Sequence, residues 1–387
     1  MSGHQGRKQQ QLGRLPVYFI LALIGVVISA LATTCSGGGG GNHSRNTAAP
    51  PPAQPFQELY DQGIDRYLGI YTPMLSEEKD GVFTHTFGSG DGPLCINGTP
   101  YSMDTLDAGS EDLMIFLQGG GLCWSELCSC LQSAPSGFLP LGILDTGRED
   151  NPVRGFNVVY LDYCDGGVFA SDRDTDTDGD GIDDRFQRGL HNLSAGLDMA
   201  LALFPAPRRV VLVGTSAGGL GTTFALPLVR RQYPDASIDV INDSGVGLGR
   251  PGDPSLWRAW IDDWNISAFF PESCPDCLPP DGHLTQYHIW QMGEDPGVRR
   301  GMLSYTLDDV MADTYLKIDR ETYHAALLEE MLQLEVANPE RSRHWIPDGE
   351  GHCFLHRTEH VTAGGVPLFE WLDAMLNGRG DWSSATD

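Results

Sequence analysis

Five short apolar runs punctuate the chain, at residues 113–117 (LMIFL), 156–161 (FNVVYL), 210–213 (VVLV), 238–241 (IDVI) and 302–306 (MLSYT), each bounded by Gly, Pro or Asp. Four of the five are almost wholly apolar, with little polar alternation, so they read as strands buried on both faces, which is the environment of a parallel sheet. Between and after them lie amphipathic stretches at 191–204, 220–233, 321–336 and 366–376, whose period fits helices. Strands alternating with helices predict an α/β fold with a mostly parallel sheet covered by helices on both faces. No internal repeat interrupts the pattern.

The N-terminus breaks from it. Arg7, Lys8 and Arg14 precede an apolar run at 15–31 that ends in small residues before Cys35. Residues 1–35 therefore read as a signal peptide, and 31–35 (LATTC) as a lipobox-like end with Cys35 the lipidated residue, although Thr34 stands where Gly or Ala is usual. The competing reading is an uncleaved membrane anchor. Residues 36–55 are Gly- and Pro-rich, a composition for a disordered tether, and 56–387 is expected to be one domain. The chain is thus expected to be exported, as a bacterial envelope lipoprotein or a secreted protein, with a membrane contact made through its lipid. A net charge of −27 over 387 residues argues against nucleic acid as a partner.

Eight cysteines follow Cys35, and behind a signal peptide they favour up to four disulfides over metal sites. Cys123 is expected to close a short loop with Cys128 or Cys130. The Cys274-Pro275-Asp276-Cys277 pair lacks a second pair at zinc-ribbon spacing, so zinc is not expected.

Candidate chemistry starts at 210–220, VVLVGTSAGGL. An apolar strand breaking into Gly-Thr-Ser-Ala-Gly before a helix is a nucleophile elbow, with Ser216 on the turn. Gly119, Gly120 and Gly121 follow the 113–117 strand, where backbone N–H groups can face a developing oxyanion. Gly120, Gly121 and Ala217 are the expected donors. In the order Ser, Asp, His, the acid is expected at Asp308, with Asp309 in reserve, and the base at His352 in a Gly-rich loop. His356 and His360 are weaker alternatives, while His288, His324 and His344 fall within apolar or helical patterns.

Taken together, FLQGGGLCW, NPVRGFNVVYLDYCDGG, GTSAGGLG, the Asp243-Ser244-Gly245 turn, Asp308 in LDD and His352 in GHC resemble the pectin acetylesterases, the family of the animal deacylase Notum, from about residue 82 to 376. The resemblance implies an α/β-hydrolase-like esterase that removes acetyl groups from a carbohydrate such as pectin through an acyl-serine. It carries nucleophile, acid and base onto Ser216, Asp308 and His352, and oxyanion donors onto Gly120, Gly121 and Ala217. Gln118 and Leu122 depart from the plant pattern, which has an acidic residue and a tryptophan there. Asp165 corresponds to a cleft-lining position but reads equally as a turn residue.

Residues 172–184 add DxDGDGxxD, the first half of an EF-hand-like loop. Asp176, Asp178, Asp180 and Asp184 by side chain, and Ile182 by carbonyl, are the expected calcium ligands. Gln187 stands where an EF-hand has its bidentate Glu, so weak, structural calcium binding is expected, with no cofactor for catalysis. Two alternatives stand beside the esterase: a Notum-like lipid or small-molecule carboxylesterase, and a catalytically inactive calcium-dependent surface binding lipoprotein.

Overall fold

The computed structural model describes residues 54–387 apart from 89, 136, 279 and 358–360. The expected signal peptide, Cys35 and nearly all of the tether lie outside the described residues, as does His360. No helix among the described residues is long and apolar enough to cross a membrane.

Ten strands form one sheet: β1 (Leu75–Lys79), β2 (Val82–Phe87), β3 (Tyr101–Leu106), β4 (Asp112–Leu117), β5 (Asn157–Leu161), β6 (Arg209–Thr215), β7 (Ser237–Asp243), β8 (Arg299–Leu303), β9 (Ser342–Ile346) and β10 (Ala385–Thr386). Their spatial order is β1-β2-β3-β5-β4-β6-β7-β8-β9-β10. From β5 to β10 every pairing is parallel, and β1, β2 and β3 extend one edge antiparallel. The expected mostly parallel α/β-hydrolase-like architecture is the observed one.

Side chains alternate between two apolar layers, as the two-residue period of a strand requires. Leu113, Ile115, Val210, Leu212, Ile238 and Val240 face one core, and Met114, Phe116, Val211, Val213 and Ile241 face the other. Helices α1 (Gly189–Leu203), α2 (Ala217–Gln232), α3 (Ser255–Trp264), α4 (Thr285–Glu294) and α5 (Arg320–Ala337) supply the first layer; α6 (Leu368–Leu376) belongs to the second.

One strand is displaced from its expected place. The run at 302–306 enters the sheet as Arg299–Leu303, and Ser304 to Thr306 lead away from it. Two arginines disguise its start: Arg299 pairs with Asp239 of β7 at 2.8 Å, and Arg300 is fully buried against His288 and Gln291. The helix expected at 220–233 begins three residues earlier, at Ala217, because the glycines that read as a turn are its first residues.

Candidate active site

β6 runs into α2 through a single residue. Ser216 has φ 53° and ψ −120°, a conformation an L-residue adopts only where its surroundings enforce it. The turn is tight enough that a Cβ on Gly214 would collide with the Gly218 carbonyl, and one on Gly218 with the Leu117 carbonyl. The Ser216 amide donates to the Asp243 carbonyl at 2.7 Å, and its own carbonyl accepts from Leu220 at 3.0 Å, pinning the turn to β7 and to the helix.

The expected acid and base converge on this serine. His352 Nε2 lies 2.8 Å from Ser216 Oγ, and His352 Nδ1 lies 2.7 Å from Asp308 Oδ2. A carboxylate at Nδ1 holds the proton on that nitrogen and leaves Nε2 to accept from the serine. Asp308 is fully buried and also accepts from the Met311 amide at 3.0 Å. Asp309 points its amide at the Glu350 carbonyl, and its carboxylate is not among the partners of His352.

Two residues that pattern reading left without a role hold the histidine loop. Asp243, at the end of β7, accepts from the amides of Phe354 at 2.7 Å and Leu355 at 2.9 Å. Ser244 Oγ accepts from the Cys353 amide at 3.0 Å and donates to Asp243 at 3.1 Å. Burial pushes the Asp243 carboxyl up to about 6, against the pull of those amides. The Asp-Ser-Gly turn was visible in the sequence, but its link to a loop 111 residues away was not. Asp243→Ala strands two buried amides and frees the loop. We expect kcat to fall by about 10²-fold, the cost of roughly 1 Å of misplacement in a reacting group, with KM little changed. Asn, which keeps one acceptor oxygen, should restore much of it; steady-state kinetics on the two variants check this.

The glycine loop after β4 lies opposite. Gly119 N–H is taken by Thr215 Oγ1 at 3.2 Å, while Gly120 and Gly121 line the same cleft as Ser216. Gly121 has φ 85° and would strike the Ser129 carbonyl if it carried a Cβ. It opens a hairpin, Gly121–Trp124 paired with Leu127–Cys130, closed by a Cys123–Cys128 disulfide. Of the two partners expected for Cys123, Cys128 is the one bonded. Gln187 and Trp264 side chains both donate to the Cys123 carbonyl, at 2.9 and 2.7 Å, and so brace the hairpin from behind. Cys95–Cys164 and Cys274–Cys277 are the other disulfides among the described residues, with Cys130 and Cys353 as free thiols, so three of the possible four bridges form.

Ser216 faces two spaces. One is a cleft of about 630 Å³ shared by Gly120, Gly121, His352 and His356. The other, on the Ala217 side, is a cavity of about 10 Å³ walled by Leu122, Leu248, Trp260, Met311 and Tyr315.

Residues 83–252 match the family model described as pectinacetylesterase. The match supports a relationship to the pectin acetylesterases. It also supports a carbohydrate acetylesterase-type function, with an acetylated carbohydrate or related ester as substrate and carboxylic ester hydrolysis as the chemistry. The matched span holds Ser216 and the glycine loop. Asp308 and His352 lie beyond it and are joined to it by geometry.

The remaining expected residues fall as follows. Asp165 is buried as a turn residue: its Oδ1 accepts from Gly167 and Phe169 amides and from Ser171 Oγ, and burial raises it to about 6. Gln118 lines the cleft and accepts from the Tyr163 amide at 2.9 Å. Asp176, Asp178 and Asp180 bring carboxylate oxygens within 4.8 Å of one another in an exposed loop. Asp184 instead bonds Thr177 Oγ1, at 2.8 and 2.7 Å, and Ile182 donates its amide to Asp180. Three of the four carboxylates expected to bind calcium thus stand together. His288 is buried in α4 against Arg300, His324 lies in α5 and His344 in β9.

Proposed function

We propose that the protein is an exported serine esterase that removes acetyl groups from a carbohydrate through an acyl-serine. The observation that carries this reading is the unbroken hydrogen-bond path from Ser216 through His352 to buried Asp308. In this mechanism His352 Nε2 takes the Ser216 proton as Oγ attacks the ester carbonyl, and Asp308 stays ionised and holds the imidazolium. The N–H groups of Gly120, Gly121 and Ala217 receive the oxyanion, and His352 returns the proton to the departing sugar oxygen. Water, deprotonated by His352 in turn, releases acetate and Ser216.

The size of the acyl group is read from the cavity beside Ser216. At about 10 Å³ it has room for about one water-sized group, which suits an acetyl methyl and not a long chain. Hydrolysis of p-nitrophenyl esters from acetate to palmitate tests this. Acetate is expected to be best, with kcat/KM falling at least about 10-fold by hexanoate as each added methylene presses on Trp260 and Leu248. A preference for palmitate would replace this reading with the Notum-like one.

Export and a lipid anchor at Cys35 belong to the same proposal; the three disulfides, which suit an oxidising compartment, support export. Calcium, if held by Asp176, Asp178 and Asp180, would neutralise a loop whose flanking strand supplies Gln187 to the Cys123 carbonyl. Its role there is structural.

A further inference from the structure

Asp162 follows β5 directly, at the carboxyl end of the sheet where ligands of open α/β folds bind. It is 1% exposed and forms part of the wall of the 630 Å³ cleft that holds Ser216. Neither of its carboxylate oxygens has a hydrogen-bond partner among the described residues. Of its polar neighbours, Gln118 accepts from the Tyr163 amide, and Asp104 on β3 takes the Thr84 hydroxyl at 2.5 Å and the Gly137 amide at 2.9 Å, while the buried Tyr101 hydroxyl, which feels the Asp162 charge, makes no hydrogen bond among the described residues.

No lysine or arginine occurs among the described residues lining the cleft. Its titratable members besides Asp162 are Tyr160, Tyr315, His352, Cys353 and His356; burial, and then the charge of Arg357, lowers His356, and the Arg357 guanidinium itself is turned to the His352 carbonyl at 2.9 Å rather than into the cleft lining. Burial, and then the charge of Asp104, push Asp162 well above the usual carboxylate range; a neutral carboxyl can both donate and accept. An unpaired buried polar group costs about 1–3 kcal/mol, which a ligand hydroxyl in the cleft would recover. A ligand carboxylate would meet a buried acid with no lysine or arginine among the described lining residues to offset its desolvation.

Resting on the esterase reading above, we propose that Asp162 hydrogen-bonds a hydroxyl of an uncharged acetylated sugar and that the cleft thereby rejects acetylated uronates. The alcohol half of the substrate is a neutral glycan, despite the polyuronate in the family's description. Selectivity comes from an acid in the cleft wall and from the lack of any lysine or arginine among the described residues lining the cleft.

The test measures kcat/KM of the wild-type protein, Asp162→Asn and Asp162→Leu on p-nitrophenyl acetate, acetylated xylo-oligosaccharides and acetylated oligogalacturonates with free carboxylates, alongside thermal melts. Wild type is expected to favour the xylo-oligosaccharides over the oligogalacturonates by about 100-fold or more. In Asp162→Leu the ratio of xylo-oligosaccharide to p-nitrophenyl acetate activity should drop by about 10- to 100-fold, mostly through KM, with Asn holding it within a few-fold. Equal wild-type rates on the two glycans, a preference for the cationic ester acetylcholine, or a Leu variant that lowers all substrates alike would overturn the proposal. Inactivity of the wild type on p-nitrophenyl acetate would instead fell the esterase reading, and this inference with it.

Discussion

Ser216→Ala is expected to lower kcat on acetyl esters by about 10⁴- to 10⁶-fold, the range in which loss of a hydrogen-bonded nucleophile removes covalent catalysis and leaves only binding and the oxyanion donors. The size of the effect follows from the geometry. Ser216 Oγ is the atom 2.8 Å from His352 Nε2 and sits where both the large cleft and the small cavity meet. Among the described residues its hydroxyl hydrogen-bonds His352 alone; the elbow is held by backbone, through the Asp243 carbonyl and Leu220 amide. The variant should therefore melt within a few degrees of the wild type. Intact-mass measurement after mixing with p-nitrophenyl acetate gives an independent reading: a 42-dalton acetyl adduct should form transiently on the wild type and not on the variant. Residual activity within about tenfold of wild type would move the nucleophile elsewhere.

Asp308→Asn is the second large effect, about 10⁴-fold in kcat with the fold retained. The side chains are isosteric, and Asp308 is fully buried 2.7 Å from His352 Nδ1. Asparagine can turn its NH₂ toward Nδ1, which selects the tautomer with the proton on Nε2, and that nitrogen then cannot take a proton from Ser216. It also removes the charge that stabilises the imidazolium. Asp309→Asn is the matched control, expected to stay within a few-fold because the backbone of Asp309, not its carboxylate, faces the His352 loop through the Glu350 carbonyl. Parallel kcat measurements on the two variants decide between the adjacent aspartates. A larger loss at Asp309 would reverse the assignment.

Much of this site was legible in the residues because its constraints are local. A nucleophile elbow needs small residues within two positions of the serine, and a glycine loop after a strand needs positive φ at one of them; both demands are written into neighbouring letters, as at Gly214, Gly218 and Gly121. The central strands announced themselves for the same reason, since burial on both faces leaves little room for polar residues. The exception was β8, whose Arg299 and Arg300 look like an exposed terminus until Asp239, His288 and Gln291 are seen beside them. The antiparallel edge escaped notice because β1 carries Ser-Glu-Glu-Lys and is exposed throughout.

The sequence by itself determined the parallel core, the serine turn and the order in which acid and base follow it, because each depends on side-chain size, polarity and backbone freedom at neighbouring positions. Only the tertiary structure decided between Asp308 and Asp309, between Cys128 and Cys130, and what Asp162, Asp165 and Asp243 do. Those choices depend on distances across strands, over separations of 44 residues for Asp308 with His352 and 136 for Ser216 with His352. An aspartate's letter is the same whether it caps a turn, holds a loop or waits unpaired in a cleft. Burial and the supply of hydrogen-bond donors separate the three, and both are properties of the packed chain.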